Sequence, residues 1–380
     1  MKILSYLRQI KKSFSDYQPL IEVLIYKKNL LHNLRAFQKN YPRQKIAPVL
    51  KSNAYGHGLV PVAKILDRKN IAFFAVDSLF EARILRGEGI KSPILIIGYT
   101  RASDIAKNNL KNVSFAITIY EQLEELAGNL KTPQKLHLKI DTGMHRQGIQ
   151  PPNFAKAIAK IKKNKNIVME GLCSHLASAD SYDKKYAMQQ IKEWNKAVKI
   201  FQNNFPKIKY FHLAATAGSF YSTKIPANVI RLGLGLYGLD SSPFRNSNLK
   251  PALETKTIIS GIKSINRGEY IGYGLTYRAK KDIKIAVIPA GYYEGTDRRL
   301  SNKGFYKIRG KFCPLVGRIS MNISLADVSH IQNVKAGDEV SLISANPNDK
   351  NCISEMANLC GTIPYEILVH VPQHLRRIVT

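Results

Sequence analysis

The chain has 380 residues, room for a barrel of about 250 residues and one smaller domain. Apolar residues make up 44% of it, and no run approaches the roughly 20 apolar residues of a membrane-spanning helix, so a protein with a sizeable core is expected. Lys and Arg number 58 against 27 Asp and Glu, for a formal net charge of +31; these residues are scattered along the chain beside no nucleic-acid motif, so no nucleic-acid partner is expected.

Residues 1–19 read as an N-terminal extension. Ile3, Leu7 and Ile10 could share one face of a basic helix, while Arg8, Lys11 and Lys12 interrupt any signal-peptide core. Packing on the body of the protein, not membrane contact, is the expectation for this segment. From 20 to 245 short apolar runs alternate with helical spacing. The candidate strands are 46–50, 73–76, 93–97, 114–117, 136–140, 168–174, 210–213 and 229–233, with helical patterns such as 59–67, 79–86 and 184–205 between them. Strand–helix repetition implies parallel strands joined by crossovers. Eight such strands predict an α/β fold, a closed (β/α)8 TIM-like barrel. A doubly wound open sheet is the alternative, but no Gly-rich dinucleotide fingerprint follows the first strand. The texture changes over 246–380. Short β-branched runs at 284–289, 305–309 and 339–344 are divided by Gly, Pro and Asn turns, which predicts a mostly β domain with helical pattern near 353–359. Cys173, Cys313, Cys352 and Cys360 form no CxxC pair, so neither a metal site nor a disulfide framework is expected, and a reduced, cytoplasmic setting fits.

Barrel enzymes carry their chemistry at the C-terminal ends of the strands. Lys51-Ser52-Asn53-Ala54-Tyr55-Gly56-His57-Gly58 follows the first strand here, and Asp141 to Arg146 follows the fifth. The sixth ends at Ser174-His175, the seventh is followed by Ala215-Thr216, and the eighth carries Arg231 before Leu232-Gly233-Leu234-Gly235. A lysine on such a rim can bond covalently to a carbonyl once its amine is deprotonated. Backbone amides near Gly233 and Leu234, with the hydroxyls of Thr216 and Tyr55, could hold a phosphate. An aldehyde bearing a phosphate satisfies both halves, which points to pyridoxal 5'-phosphate.

The stretch VLKSNAYGHG resembles the pyridoxal-lysine signature of the alanine racemase family. The further motifs follow in that family's order: KIDTGMHRQGI, CSHLASAD, HLAATAG, IRLGLGLYG, GYGLTYRA, GYYEG, GRISMN and TIPYEIL. The resemblance runs from about residue 20 to the C-terminus. It implies a barrel followed by a β domain, a homodimer with active sites shared between subunits, and interconversion of L- and D-alanine by two bases acting on a pyridoxal phosphate aldimine, supplying D-alanine for peptidoglycan. A serine, lysine or broad-specificity racemase of the same family is the alternative.

Residue by residue, the resemblance makes Lys51 both the cofactor lysine and one base. Tyr273 becomes the base on the opposite face, contributed by the partner subunit. Arg231 matches the residue facing the pyridine nitrogen. A guanidinium only donates, so that nitrogen should stay unprotonated; a decarboxylase on the same barrel would want a carboxylate there. Tyr55, Thr216, Gly233, Leu234 and Tyr365 match the phosphate cradle, and His175 the histidine linked to Arg231 and Tyr273. Arg146 corresponds to the arginine near the cofactor's phenolic oxygen, and Lys139 to the lysine whose carbamate positions it. Met321 matches a substrate-carboxylate contact through its amide, and Tyr292 and Arg298 residues of the entry channel. The chain departs from the family pattern at Ser52, at Ala215, at Glu294 where Asp is usual, and at Asn322 where Met-Asp is frequent.

Overall fold

The computed structural model describes residues 18–240 and 248–380. Most of the extension 1–19 therefore lies outside the described residues. The described residues divide into two compact units, one within 26–252 and a second comprising 253–380 together with residues 18–25.

The first unit is built on eight parallel strands: β1 (Lys45–Pro48), β2 (Phe74–Val76), β3 (Ile94–Ile96), β4 (Val113–Ile117), β5 (Gln134–Lys139), β6 (Ile167–Cys173), β7 (Tyr210–His212) and β8 (Val229–Leu232). The six from β2 to β7 form one sheet in sequence order, and β1 pairs with β8. A parallel bridge between Val49 and Ala75 joins β1 to β2. The Asn228 amide donates to the Phe211 carbonyl and the Arg231 amide to the Ala214 carbonyl, at 3.1 and 3.0 Å, joining β8 to β7. The ring is thus closed, and the predicted barrel is what the chain forms. Buried faces on both sides explain why β2, β3 and β4 read as unbroken apolar runs rather than alternating ones. The predicted runs agree with the observed strands to within a residue or two.

The second unit is mostly β. Its six-stranded sheet runs Lys311–Pro314, Phe305–Ile308, Glu339–Ile343, Leu253–Ile258, Glu22–Ile25, Arg376–Val379. Strand Leu253–Ile258 alternates buried and less buried positions, the pattern of a sheet covered on one face. A three-stranded sheet (Gly261–Ile265, Ile283–Ile288, Ser324–Asp327) and a hairpin (Tyr270–Ile271, Tyr277–Arg278) complete it around a small core of Ile271, Ala279, Ile283, Ile285 and Val316. The segment expected to open the barrel domain at residue 20 behaves differently: Glu22–Ile25 pairs antiparallel with Leu253–Ile258 and parallel with Arg376–Val379. With polar Glu22 and apolar Val23 and Ile25, it has a sheet's alternation and no strand neighbour in the barrel. A second helix, Pro364–Val369, follows the expected one at Ile353–Cys360. All four cysteines are buried and outside disulfides. No helix among the described residues is long and apolar enough to cross a membrane.

Candidate active site

Lys51 stands at the end of β1, where the chain makes an unusual turn. Residues Ser52 to Tyr55 all have positive φ, between 51° and 56°, a left-handed turn that non-glycine residues rarely adopt. Neighbouring groups hold it in place. The Leu50 amide donates to the Ala75 carbonyl at 2.8 Å and the Val49 amide to the Leu232 carbonyl at 2.9 Å. Glu81, on helix Leu79–Gly87, accepts from the Asn53 amide through one carboxylate oxygen and from the Asp77 amide through the other. The Asn53 side chain accepts from the Leu59 amide at 2.8 Å. Backbone strain of this kind persists where the surroundings over-determine it, which is typical of functional sites. The turn leaves Lys51 partly buried and carries Tyr55 inward, 6% exposed.

The Tyr55 hydroxyl faces Gly233. A Cβ on Gly233 would lie 3.1 Å from that hydroxyl and 3.9 Å from Thr216 Oγ1. Thr216 Oγ1 in turn accepts from the amides of Gly233 and Gly235, each at 3.2 Å. Two buried hydroxyls and the backbone opening at Gly233 and Leu234 therefore converge on space that a side chain would fill. Hydroxyl and amide donors around such an opening are what a phosphate monoester needs.

Next to this cradle the rim is cationic. Arg231, only 7% exposed, donates through Nη1 to His212 Nδ1 and the His212 carbonyl. Its Nη2 donates to the carbonyls of Ser174 and Leu213 and, at 3.1 Å, to His175 Nδ1. A guanidinium supplies only donors, so His175 carries its proton on Nε2. Burial, reinforced by the fields of Arg231, Arg146, Lys139 and Lys51, pushes His175 down to about 3, so it is neutral at physiological pH. Burial also lowers the Lys139 amine to about 8, with Arg231, Arg146 and Lys51 adding to the effect. Lys139 Nζ donates to Gln147 Oε1 at 2.7 Å. The loop carrying Arg146 is shaped by Asp141, which accepts from the amides of Gly143 and His145 and from the His145 ring. Lys51, Lys139, Arg146 and Arg231 thus converge on one end of the barrel, an arrangement that calls for an anionic ligand. Together with the cradle, it fits pyridoxal phosphate, whose anionic groups and aldehyde match the donors, the cations and the amine of Lys51.

The second unit holds Tyr273, Met321, Tyr292, Arg298 and Tyr365. Tyr273 opens a short 3-10 turn between Gly272 and Gly274, both with positive φ, and is 70% exposed. A Cβ on Gly274 would approach the Arg318 guanidinium to 3.0 Å, and one on Gly291 would strike the Ser320 and Met321 carbonyl oxygens at 2.2 and 2.3 Å. The Tyr292 and Tyr293 amides donate to those same two carbonyls. The loops bearing Tyr273, Met321 and Tyr292 are therefore stacked side by side. Arg298 lies on the neighbouring turn Arg298–Leu300, and Tyr365 on helix Pro364–Val369. Two of the departures from the family pattern meet here. The Asn322 side chain donates to Glu294 Oε1 at 2.7 Å, while Glu294 Oε2 accepts from the Gly291 amide. An amide facing the longer carboxylate makes a hydrogen bond where two acids would repel.

Sequence reasoning did not single out Glu81, Gln147, His137 or Glu170. A lone glutamate inside an otherwise apolar strand, as at Glu170, was the available signal for the last of these.

A closed (β/α)8 barrel with a lysine and a cationic, anion-accepting rim, followed by a β domain, is the architecture of a barrel enzyme with its site at the strand ends. The sequence patterns described as "Alanine racemase, N-terminal domain" and "Alanine racemase, C-terminal domain" match residues 25–241 and 252–379. The chain is 35% identical to the alanine racemase of Methylacidiphilum infernorum over 352 residues, 92% of this chain and 89% of that one. It is 36% identical to the alanine racemase of Carboxydothermus hydrogenoformans, over 92% and 96%. It superposes on the alanine racemase of Bacillus anthracis, solved with bound L-Ala-P, with a TM-score of 0.88 at 29% identity and 96% coverage of both chains. The alanine racemase of Clostridium difficile 630 gives 0.88 at 30% identity, over 96% of this chain and 97% of that one. The chain belongs to the alanine racemase family, and its enzyme class is amino-acid racemase, an isomerase.

Proposed function

We propose that this enzyme interconverts L- and D-alanine with pyridoxal 5'-phosphate as cofactor, in a cytoplasmic setting where the D-alanine feeds peptidoglycan. The observation that carries the reading is the convergence of Lys51, Lys139, Arg146 and Arg231 beside the Tyr55–Thr216–Gly233 cradle. Pyridoxal phosphate, when bound, supplies the electron-withdrawing system that acidifies the α-carbon of an amino acid.

The chain's own groups do the rest. Tyr55, Thr216 and the backbone at Gly233 and Leu234 would hold the phosphate, with Tyr365 as a further candidate donor. Lys51 tethers the cofactor and moves a proton at the α-carbon on one face. The partner subunit's Tyr273 moves a proton on the other face. Two bases are needed because a single base fixed on one side returns the proton to the face it left. Arg231 would present donors to the ring nitrogen and so keep it unprotonated. His175, neutral with its proton on Nε2, links Arg231 to the tyrosine base. Arg146 would contact the phenolic oxygen, steadied by Lys139. An amine lowered to about 8 has a substantial unprotonated fraction at neutral pH, which is the form that reacts with carbon dioxide to give a carbamate. The Met321 amide contacts the substrate carboxylate, and Tyr292 and Arg298 line its approach.

Tyr273, Leu275, Tyr292, Tyr293, Met321 and Ile323 are all between 44% and 70% exposed on adjoining loops. An apolar patch of this kind suits a protein interface, which supports the homodimer. Incubating the protein with L-alanine and pyridoxal phosphate, with chiral separation of the products, tests the reading. Equal amounts of the two enantiomers are expected at the end. No D-alanine, with D-serine or D-lysine formed from the corresponding L-amino acids, would replace the substrate assignment.

A further inference from the structure

Beneath Arg231 a line of buried polar groups runs down the inside of the barrel, away from the rim. Arg231 Nη1 donates to His212 Nδ1 at 2.6 Å. His212 Nε2 lies 2.8 Å from His137 Nδ1, and His137 Nε2 lies 3.4 Å from Glu170 Oε2. His137 and His212 are 1% and 0% exposed, enclosed by Phe73 and Tyr210. Glu170, on β6, also accepts from the Ser114 hydroxyl and pairs with Lys135 Nζ at 3.2 Å. Lys135 is half exposed, so the line ends where solvent begins.

The two ends of this line fix everything between them. A guanidinium can only donate, and a carboxylate can only accept. His212 must therefore accept on Nδ1 and carry its proton on Nε2. That proton is donated to His137 Nδ1, so His137 also carries its proton on Nε2 and donates it to Glu170. One proton arrangement satisfies all three links, and reversing either imidazole sets donor against donor or acceptor against acceptor.

We propose that Glu170 is a positioning residue of the racemase: through His137 and His212 its carboxylate orders the protons of both imidazoles and holds Arg231 in place as a fixed cationic donor. Among the described residues Arg231 forms no ion pair, and a buried guanidinium without a counter-charge is strongly destabilised. Glu170 supplies that counter-charge at a distance, through two polarised rings. The ionisation states agree. Burial works against the Glu170 carboxylate, but the His137 and Ser114 donors and the Lys135 charge hold it at about 2. Burial and the Arg231 charge keep both histidines below their ordinary range, Lys135 acting also on His137 and Lys139 on His212. His175, 3.1 Å from Arg231 Nη2, and Lys139, Cys173 and Tyr55 are other ionisable groups near Arg231. What Arg231 then does to the cofactor's ring nitrogen rests on the function proposed above; the ordering of the line does not.

The test is 15N NMR of histidine-labelled holoenzyme, with kinetics on two variants. In the unmodified protein both His137 and His212 should be Nε2–H tautomers and should not titrate between about pH 6 and 9. Glu170→Gln keeps an acceptor oxygen but loses the counter-charge, so both tautomers should persist while kcat falls by about threefold. Glu170→Ala removes the acceptor; His137 should lose its single tautomer and kcat fall about tenfold, with KM for alanine moving less than about twofold. A proton on Nδ1 of either ring in the unmodified protein overturns the proposal. So does an alanine variant with unchanged tautomers and kcat, or a glutamine variant as impaired as the alanine one. If Glu170→Ala does not fold, the other two spectra still decide. Pyridoxal phosphate labelled at the ring nitrogen separates the two readings: a protonated ring nitrogen beside an ordered line would reject the role of Arg231 in the reaction and leave the line intact.

Discussion

The two units present their candidate site residues in opposite ways. In the barrel, Arg231, Tyr55 and Thr216 are buried, and the polar groups of Arg231 and Thr216 are tied to backbone, so the rim is built before any ligand arrives. In the second unit, Tyr273 and Met321 stand 70% and 55% exposed on loops whose shape depends on glycines packed against neighbouring backbone. The difference teaches how the work is divided. The barrel carries the buried, cationic groups of the candidate site, pre-organised and electrostatically demanding. On the function proposed above, the second unit carries an exposed phenol, Tyr273, that would act only when a partner subunit brings it to the cofactor.

The sharpest way to break this division is at Lys51. Lys51→Ala should lower racemisation by on the order of 10^4-fold and abolish the absorbance of lysine-bound cofactor, while leaving the fold intact, since the side chain is only partly buried. Tyr273→Phe comes next. A loss of about 10^2- to 10^4-fold in kcat is expected, with the melting temperature unchanged because the residue is so exposed. A variant racemising at the unmodified rate would remove the second base from the account.

A smaller effect tests the rigidity of the barrel site. Gly233→Ala places a methyl group in the cradle opening, and circular dichroism checks that the variant folds. Its Cβ would crowd the Tyr55 hydroxyl and narrow the cradle. Cofactor affinity, followed by absorbance titration, should weaken about 10- to 100-fold, the value of one or two hydrogen bonds. Unchanged affinity would place the phosphate elsewhere.

The smallest effect is on acid stability. His175 is held at about 3 in the folded protein, below its ordinary value of 6.5. Between those values the unfolded chain binds the proton and the folded chain does not. Stability is therefore full above pH 6.5 and is lost as pH falls toward 3, by on the order of 1 kcal/mol per pH unit. Denaturation midpoints measured across this range should fall less steeply in His175→Gln. An equal slope in the two proteins would mean that His175 takes up its proton without unfolding.

The barrel was legible because strands buried on both faces leave apolar runs that periodicity detects, and β2, β3 and β4 are such runs. Strand Glu22–Ile25 was not legible: it has four residues, and its partners come from residues 253–258 and 376–379, a pairing no local pattern reveals. The rim residues could be named from the motifs at the strand ends. Glu81 could not, because its role comes from reaching back from a later helix to steady a left-handed turn. The Arg231–His212–His137–Glu170 line was equally hidden, since it joins four separate strands. The departures at Glu294 and Asn322 looked unrelated in sequence, and only their hydrogen bond shows that each accommodates the other.

The central claim is that one active site takes Lys51 from one subunit and its second base from the other. Mixing Lys51→Ala with Tyr273→Phe protein, each inactive alone, and letting the subunits exchange tests it directly. The account predicts that activity returns to about a quarter of the unmodified level, because half the dimers are mixed and each mixed dimer holds one complete site. A mixture that exchanges subunits and stays as inactive as its parents would contradict it.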